Sequence, residues 1–400
     1  MRNEICTTFA LMKGNLLHIL FWSIILCLSC EHESPQPRQE SERTIIVYAV
    51  AENSLSYSAV MDSMEMAKAV KDIPSNCNLI VYIDRNQWPT VTVMNSKDGV
   101  KLWKRYTRDL DSADSLTMLH TLTELTKAFP SKHYGLVLWS HASGWIPKRK
   151  TFGIDNNKNS NYSNSGTELE IPALRGILEQ LPHLDFILSD ACLMQTVEVA
   201  HELRQVTDYL IGSPSEIPGE GAPYDRIMLP MMQGNATEIA EQYYQYFADR
   251  QEYFADRHGV ALSVVDCRQM DNLAIATAPL IERFWADRAE VDVLGVQRYH
   301  TFETSAPEAQ DIRGMMHKLL PDSIYEAWEQ VLLRTVVWHK ATYSWDSVYP
   351  GNEHHTLTDS EFYSGLSMFV PQEKYEPYGW NLAFHNTSWY WATGWQQTGW

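Results

Sequence analysis

The sequence has few basic residues and few cysteines. Lysine and arginine total 32 against 50 aspartates and glutamates, which gives the 400-residue chain a formal net charge of −18. Such a surface repels nucleic-acid phosphates, so no nucleic-acid partner is expected, and it suits a soluble enzyme that attracts basic substrates.

Three of the six cysteines lie in the first 30 residues. The other three, Cys77, Cys192 and Cys267, form no disulfide framework, and whether Cys77 pairs with Cys267 stays open.

The sequence also lacks two features that would define other classes of protein. Ala51-Glu-Asn-Ser stands after the first predicted strand, where a flavodoxin-like nucleotide or flavin binder would carry a glycine-rich phosphate loop. The apolar run Leu16–Leu28 spans about 13 residues, whereas a membrane helix needs about 20. With 44% hydrophobic residues, the chain is nevertheless long enough to bury a large core.

Residues 1–30 are predicted to be an export signal. Lys13 precedes the apolar run and Ser29-Cys30 follows it, which is the order found in secretory signal peptides. Met12 begins a more conventional signal than Met1 does, so both translation starts stay open.

The end of this signal resembles the lipobox of bacterial lipoproteins. In Leu28-Ser-Cys30 the cysteine would be acylated and would anchor the chain in a lipid membrane, with residues 31–43 as a flexible polar tether. Glu31-His-Glu33 resembles signals that send some lipoproteins to the outer face of the outer membrane. An exported, surface-exposed outer-membrane lipoprotein is therefore expected. The alternative is an ordinary secretory signal that is cleaved nearby.

Two segments each consist of an apolar run that ends in a short polar motif, namely Tyr134–His141 and Leu184–Cys192. Both runs have the composition of strands covered on both faces of a parallel sheet. Ligands bind outside the carboxyl ends of such strands, so neighbouring strands would bring His141 and Cys192 to one sheet edge. A neutral imidazole can take the thiol proton and produce a nucleophilic thiolate. Either residue alone would more often be structural, but together they favour a catalytic pair.

The residues around the cysteine suggest how a thiolate would be supported. A helix predicted over Met194–Gln205 would place Cys192 at its N-terminus, where the helix dipole favours the thiolate. The backbone amides of Ala142 and Cys192 are candidate donors to the oxyanion of a reacting carbonyl.

Strands and helices alternate along the chain, which predicts an α/β fold with a doubly wound sheet. The predicted strands are Thr44–Ala51, Asn78–Asp84, Thr90–Met94, Tyr134–Trp139, Leu184–Ser189, Asp208–Ser213 and Gly259–Val265. The predicted helices are Ser58–Val70, Ser115–Phe129, Ile171–Leu181, Met194–Gln205 and Glu238–Phe254.

Trp139-Ser-His-Ala-Ser-Gly-Trp145 and Ser189-Asp-Ala-Cys-Leu-Met194 resemble the histidine and cysteine motifs of the clostripain family of cysteine peptidases. The resemblance covers roughly residues 44–400. Further similar segments are Thr44–Ala49, Gly219–Asp225, Ser364–Pro371 and Trp389–Trp395. The family shares a clan with caspases, legumain, gingipain and separase. The resemblance therefore implies a caspase-like α/β/α sandwich with a mostly parallel central sheet and a His/Cys dyad of His141 and Cys192.

The predicted domain plan has two parts after the tether. Residues 44–289 would form the caspase-like peptidase domain, and residues 290–400 would form a C-terminal subdomain packed on it. Eight of the fourteen tryptophans lie at Trp328 or later, and packing is the first interpretation of these rings. A platform for stacking sugars or binding peptides is the alternative.

One residue departs from the pattern of the family, which usually has glycine directly after the catalytic histidine. Ala142 stands there. If the backbone at this position needs a positive φ, alanine is strained and the oxyanion hole is affected.

The resemblance also implies a preference for arginine or lysine before the cleaved bond. Asp190 matches the aspartate that lines the first specificity pocket of the family, and in a strand it would lie on the same side as Cys192. Glu220 is the candidate for a second acid, with Asp225 as its substitute. A buried carboxylate in such a pocket selects basic side chains. The alternative is that Asp190 caps the next helix or binds a neighbouring amide.

Residues 146–168 break the alternation and are predicted to be a loop beside the site. Clostripain-like enzymes are commonly made as inactive single chains that are cut after a basic residue between the two motifs. The candidate cleavage sites are Lys148, Arg149, Lys150 and Lys158, in a segment of the kind where proteolysis concentrates. The alternative is a solvated basic turn.

No metal site is predicted. His354 and His355 are adjacent and would point apart on a strand. The residues require no cofactor, and calcium is implied by the family resemblance alone, because Asp155-Asn-Asn shows no ligand spacing.

Taken together, the sequence predicts a monomeric cysteine endopeptidase that cleaves protein or peptide substrates after arginine or lysine. The alternative is a catalytically weak or inactive clostripain-like surface lipoprotein that binds peptide or glycan with the same fold. Ala142 and the aromatic C-terminal part are the features that favour this alternative.

Overall fold

A nine-stranded sheet forms the centre of the structure, a computed structural model. The structure describes residues 40–85, 88–146, 151–157, 166–254, 258–300, 307–347 and 353–400. Residues 40–400 form one compact unit. Cys30 and residues 1–39 lie outside the described residues, and so do the four candidate cleavage sites. In the part of the chain that is described, no helix has both the length and the apolar character needed to cross a bilayer.

The strands and helices follow in chain order. The strands are β1 (Ser41–Val50), β2 (Cys77–Asp84), β3 (Thr90–Asn95), β4 (Gly99–Arg105), β5 (Ser131–Trp139), β6 (Phe152–Asp155), β7 (Thr167–Leu169), β8 (Leu184–Asp190), β9 (Thr207–Gly212), β10 (Ala261–Asp266), β11 (Arg298–His300), β12 (Ala309–Asp311), β13 (Val336–Ala341), β14 (Ser344–Ser347), β15 (Glu353–Thr356) and β16 (Ser367–Met368). The α-helices are α1 (Ser56–Lys68), α2 (Ser115–Ala128), α3 (Ile171–Leu178), α4 (Val197–Leu203), α5 (Tyr224–Gln233), α6 (Ala236–Phe254), α7 (Met270–Trp285), α8 (Ile312–Leu319), α9 (Asp322–Thr335), α10 (Trp380–Phe384) and α11 (Ser388–Ala392).

The central sheet has the strand order β13-β10-β9-β8-β5-β1-β2-β3-β4. Its five middle strands, from β9 to β2, are parallel neighbours. Antiparallel strands complete both edges, with β3 and β4 on one side and β10 and β13 on the other. This arrangement confirms the predicted α/β class with a mostly parallel sheet.

The middle strands are rich in apolar residues because most of their length is buried on both faces. Along β1, Ile46 and Tyr48 belong to one core cluster, while Ile45 and Val47 belong to a second cluster on the opposite face. Successive side chains of a strand alternate between the faces, so a strand between two helical layers needs apolar residues at every position. Helices α2, α3, α4 and α7 cover the first cluster, and α1, α5 and α6 cover the second.

The seven predicted strands and five predicted helices are all present, with boundaries shifted by a few residues. The edge strand β4 was not predicted, because its side chains are mostly exposed and charged residues interrupt its apolar ones. The stretch 146–168 is not only a loop: β6 and β7 pair in antiparallel fashion within it. Phe152, Ile154 and Leu169 anchor this hairpin in the protein interior.

The C-terminal part contributes both to the sheet and to an aromatic cluster. Strand β13 pairs with β10 at the edge of the central sheet. Most tryptophans of this region are buried, and those with the least exposure are Trp345, Trp389 and Trp395. Packing is therefore their main role, although Trp391 is 59% exposed. The domain boundary near residue 290 stays a prediction.

Gly135 tests how closely the middle strands pack. A Cβ added there would lie 2.5 Å from Cζ of Phe186 and 2.8 Å from Cδ1 of Ile45. We expect Gly135→Ala to lower the free energy of unfolding by about 1–3 kcal/mol in urea denaturation, the usual cost of overpacking. The control is Gly176→Ala in α3, where a Cβ meets nothing within 4 Å and a small gain of roughly 0.5–1 kcal/mol is expected. Equal effects of the two substitutions would contradict this account.

Candidate active site

The register of two parallel strands determines where the two motif residues lie. Trp139 at the end of β5 pairs with Asp190 at the end of β8. His141 and Cys192 each follow two residues later. Both residues therefore leave the same edge of the sheet from adjacent strands at the same level, as the sequence predicts.

Contacts on both sides hold His141. Its Nε2 lies 2.8 Å from Oγ of Ser54, in the loop that follows β1. Its carbonyl accepts a hydrogen bond from the amide of Gly153 in β6 at 3.0 Å. Asn53 strengthens this arrangement, because its Nδ2 donates to the carbonyls of Val50 and Ile154. The loop after β1 and the strand β6 thus position the imidazole together.

Ala142 forms an isolated antiparallel bridge with Phe152. The hydrogen bonds on either side of this bridge run from Ser143 N to Thr151 O and from Gly153 N to His141 O. In such a register the N–H of Ala142 points away from residues 151–153. Ala142 is not among the described non-glycine residues with positive φ, so the strain considered from the sequence does not arise.

The histidine loop and the cysteine loop touch at Gly144. This residue has φ +74°, and a Cβ on it would lie 2.7 Å from the carbonyl oxygen of Leu193. Leu193 itself has φ +59°, a conformation that is costly for a leucine and that often marks a functional turn. Its amide donates to the carbonyl of Ser215 at 3.0 Å. The turn that carries Cys192 is therefore held from two sides.

The prediction that Cys192 lies at a helix N-terminus is wrong. Helix α4 begins at Val197 and is capped by the side chain of Thr196. The left-handed backbone of Leu193 and the hydrogen bond from Gln195 N to Ser213 O keep the intervening residues out of the helix. Sγ of Cys192 instead accepts a hydrogen bond from the amide of Ile217 at 3.5 Å. This donor, from the loop after β9, favours the thiolate.

Asp190 is buried and fully engaged by hydrogen-bond donors. Its carboxylate accepts from the amide of Ala222 at 3.1 Å, from the hydroxyl of Tyr224 at 2.7 Å and from that of Tyr243 at 3.3 Å. Burial raises the pKa of Asp190, and these donors oppose the rise. The bond to Ala222 is the neighbouring-amide contact that the sequence left open as an alternative role.

A second buried acid, Asp62 of α1, was not predicted. It accepts a hydrogen bond from Nε1 of Trp139 at 2.7 Å. Burial, followed by the charge of Asp190, raises the pKa of Asp62 to about 9. An acidic residue on the buried face of an amphipathic helix is the signal that would have found it, because Asp62 falls in step with the buried Ala59 and Met66.

The other two predicted acids lie at different places. Glu220 is half-buried in the loop before α5, and Oε1 is 2.9 Å from Nη1 of Arg250. Its charge contributes to raising the pKa of Asp62, which places it in the same acidic region. Asp225 is exposed. Burial, followed by the charge of Asp225, raises the pKa of Glu65 on α1.

The C-terminal part closes one side of the cysteine turn. The amide of Ser367 donates to the carbonyl of Gln195, and the amide of Phe369 donates to Oε1 of Glu198 at 2.9 Å. Glu198 is buried, and burial raises its pKa to about 7. The cleft beside it is lined by Trp145, Leu193 and other residues of both loops.

Among the described residues, one group of three acids lies close enough together to hold a metal ion. These acids are Glu52, Asp84 and Asp109. Burial raises the pKa of Asp84 to about 9. They come from three separate segments, so no spacing in the sequence indicated them.

A model of the clostripain family matches residues 47–400 of the chain. The chain belongs to this family of cysteine peptidases. The match covers both motifs and also the C-terminal segments that resembled the family.

Two solved structures of the clostripain family are similar over 89% of the chain and cover 99% of their own length. One is a secreted cysteine protease from Bacteroides thetaiotaomicron in complex with an irreversible peptide inhibitor, with 29% identity and a TM-score of 0.76. The other is an inactive zymogen from Parabacteroides distasonis, with 26% identity and a TM-score of 0.74. Clostripain of Hathewaya histolytica is 26% identical over 228 residues. That match spans 48% of this chain and 43% of the relative.

Thiol labelling checks the distinct environment of Cys192. Of the three described cysteines, Cys192 is half-buried, whereas burial raises the pKa of both Cys77 and Cys267. Since the thiolate is the reactive form, we expect iodoacetamide to modify Cys192 first in the native protein, as read by peptide mass spectrometry. The control is the same reaction in urea, where all three should react. Native labelling of Cys77 or Cys267 ahead of Cys192 would rule out this assignment.

Glu198→Gln gives a pH test of the contact with Phe369. The carboxyl of Glu198 binds its proton more tightly in the folded state (pKa about 7) than at its ordinary value of 4.5. Its stabilising contribution is therefore complete below pH 4.5 and is lost as pH rises to about 7. Glutamine keeps the acceptor for Phe369 but cannot ionise. We expect the variant to gain stability over the wild type across this range, by up to about 3 kcal/mol, in urea denaturation at a series of pH values.

The matched control is Glu326→Gln on the exposed surface of α9. The difference in free energy of unfolding between this variant and the wild type should be the same at every pH. A Glu198→Gln variant that parallels the wild type at every pH would show that this carboxyl stays ionised in the folded protein.

Proposed function

We propose that the protein is a cysteine endopeptidase with His141 as the base and Cys192 as the nucleophile. The observation that carries the proposal is the parallel register of β5 and β8, which places both residues two positions beyond the paired Trp139 and Asp190. Membership of a family of cysteine peptidases agrees with this assignment.

The contacts of His141 suggest which nitrogen acts. When Nε2 carries the proton, it donates to Oγ of Ser54 and leaves the lone pair on Nδ1. Nδ1 then takes the proton of the Cys192 thiol. Ser54 is in this role a positioning residue, because it orients the imidazole and does not touch the substrate.

The reaction then proceeds by acyl transfer. The thiolate attacks the carbonyl carbon of the scissile peptide bond, and the oxyanion that forms accepts hydrogen bonds from the amides of Ala142 and Cys192. The imidazolium of His141 returns its proton to the leaving amine. A water molecule, deprotonated by the same imidazole, hydrolyses the thioester and restores the thiol.

We propose that cleavage follows arginine or lysine. Asp190, directly before the cysteine turn, supplies a carboxylate at this edge of the sheet. Asp62 behind it is protonated near neutral pH, because burial and the charge of Asp190 raise its pKa to about 9. Glu220, which is paired with Arg250, adds a second carboxylate in the same region. A cationic substrate side chain gains from that charge, whereas a neutral one does not.

The proposal also covers how the protein is exported, anchored and activated. We propose an exported monomer, anchored through an acylated Cys30, that is activated by self-cleavage after Lys148, Arg149, Lys150 or Lys158. One structural relative is described as secreted and another as an inactive zymogen, which supports export and activation. The flanking residues Ile146 and Phe152 are buried, so a cut after Lys148, Arg149 or Lys150 would leave a buried residue close to each new end.

Reporter peptides ending in Arg, Lys or Ala test the activity. We expect the purified protein to release the reporter after Arg and Lys and much less after Ala. Cys192→Ala should lower kcat/KM by at least about a thousandfold, since it removes the nucleophile. The control is Cys267→Ala, which removes a buried thiol outside the site and should leave activity in place. A gel time course reports any self-cleavage that depends on Cys192.

If neither the intact nor the trypsin-nicked protein cleaves any of the peptides, the alternative is favoured, namely a surface protein that binds peptide or glycan. A thiol-reactive substrate mimic ending in arginine separates the two, because an enzyme is labelled at Cys192 and a binding protein is not.

Asp190→Asn should reduce kcat/KM for the Arg and Lys peptides and leave that for Ala little changed. Equal loss on all three peptides would argue against a specificity role for Asp190.

A further inference from the structure

A large cavity, called the outer cavity below, lies in the C-terminal part of the chain. Its volume is about 610 Å³, within the range of about 300–1,000 Å³ that ligand pockets occupy. Residues 291–298 line it together with Gln310 and residues 354–356 of β15. Glu308 lines both this cavity and the cleft at Leu193 that adjoins the cysteine turn. The outer cavity is therefore one side chain away from the active-site cleft.

Gln310, which is 2% exposed, has an oxygen that no described donor uses. Its Nε2 donates to Oε2 of Glu308 at 3.1 Å. This bond fixes the orientation of the amide, because an ionised carboxylate can only accept. Oε1 of Gln310 is buried and accepts no hydrogen bond from any residue in the described part of the chain. A buried acceptor without a donor is destabilising, so this oxygen indicates a donor that arrives with a ligand.

His355 supplies a second such atom to the lining of the outer cavity. Its Nε2 is buried and makes no hydrogen bond with the described residues. The carboxylate oxygen Oε2 of Glu353 lies 3.6 Å away, beyond hydrogen-bond distance. The ring of Trp345 stacks on the imidazole with 6.1 Å between the ring centroids, which holds its orientation. Two separate strands, β12 and β15, thus present polar atoms that lack a hydrogen bond.

The chemistry of the lining suits a polypeptide better than a sugar. Uncharged amide and hydroxyl side chains line the outer cavity, namely Gln297, Gln310, Gln372, Thr356 and Thr358. Such groups pair with the N–H and C=O groups of a peptide backbone. The described residues of the lining include no phenylalanine, tyrosine or tryptophan, so they offer no aromatic ring on which a sugar could stack.

The small sheet β11-β12-β16 connects the outer cavity with the cleft. Strand β11 is at one edge of it, and no described strand pairs with the outer side of β11. An extended peptide can add to such an edge through backbone hydrogen bonds. Arg298 at the start of β11 lines the outer cavity, and His300 at its end lines the cleft. A polypeptide that follows β11 would run from the cleft to the outer cavity.

We propose that the outer cavity is an extended binding site for the polypeptide substrate, in which Gln310 accepts a hydrogen bond from the substrate backbone. The inference rests on the proposed peptidase function and adds a substrate class to it. That class is extended protein segments that reach several residues beyond the cleaved bond. Short peptides occupy the cleft alone. Gln310 acts on the affinity for the substrate and takes no part in the chemistry.

Internally quenched peptides with a single arginine as the cleavage site test the proposal. The short peptide has few residues on either side of the bond. Two longer peptides carry about six further residues on the N-terminal or the C-terminal side, which add about 20 Å of extended chain. We expect kcat/KM of one longer peptide to exceed that of the short one by about three- to tenfold, through a lower KM. Equal kcat/KM for all three peptides would overturn the proposal.

Gln310→Met removes the acceptor and keeps the length of the side chain. It should bring the ratio of kcat/KM for the longer peptide to that for the short one close to one. The matched control is Gln180→Met at an exposed position just after α3, which should keep the ratio of the parent. Gln372→Ala, at a half-buried position of the outer cavity, repeats the test should Gln310→Met not fold. An unchanged ratio in the folded cavity variants would contradict the proposal.

Binding to an inactive protein separates this proposal from the proposed peptidase function. Fluorescence anisotropy should show that Cys192→Ala binds the labelled longer peptide more tightly than the labelled short one, and Gln310→Met on this background should remove the difference. If this difference is found although no peptide is cleaved, the peptidase function fails and the binding site is supported. If peptides are cleaved without any dependence on length or on Gln310, the binding site is refuted and the peptidase function is supported.

Discussion

The parallel pairing of β5 with β8 is the constraint on which the rest of the site depends. Each strand is apolar on both faces, and a slip by one residue would move every side chain to the opposite face. The register therefore cannot drift while both core clusters stay packed. Trp139 shows the coupling: its ring is buried in the core, while its Nε1 reaches Asp62. Placement of the imidazole and the thiol is in this sense a by-product of core packing.

The strands bring the two loops together, and a few backbone contacts then determine their shape. Gly144 permits the histidine loop to approach the carbonyl of Leu193, and Leu193 takes up a left-handed conformation that turns the chain away from α4. The cost of that conformation is offset by the hydrogen bond of its amide to Ser215. The thiol consequently faces a loop amide, that of Ile217, and not the end of a helix.

The sequence was sufficient for the parts of the fold in which hydrophobic pattern decides the outcome. A strand that is buried on both faces shows as an unbroken apolar run in the sequence. A helix with one covered face shows apolar residues that recur with the helical period. The helix after Cys192 was placed three residues too early because nothing in Leu193 marks a positive φ. Ser54 and the acids around Asp84 were missed for another reason. They are assembled from separate segments, and only the folded chain brings such segments together.

The contact of the C-terminal part with the cysteine turn has a consequence for synthesis. Residues 195 and 198 are bound by the amides of Ser367 and Phe369, and β13 completes one edge of the sheet. These partners lie about 140 to 180 residues after Cys192 in the sequence, so they leave the ribosome later than the cysteine turn does. The turn that carries Cys192 is therefore without its final support while the polypeptide is still growing. Assembly of the site is delayed until residues 336–369 have also been made.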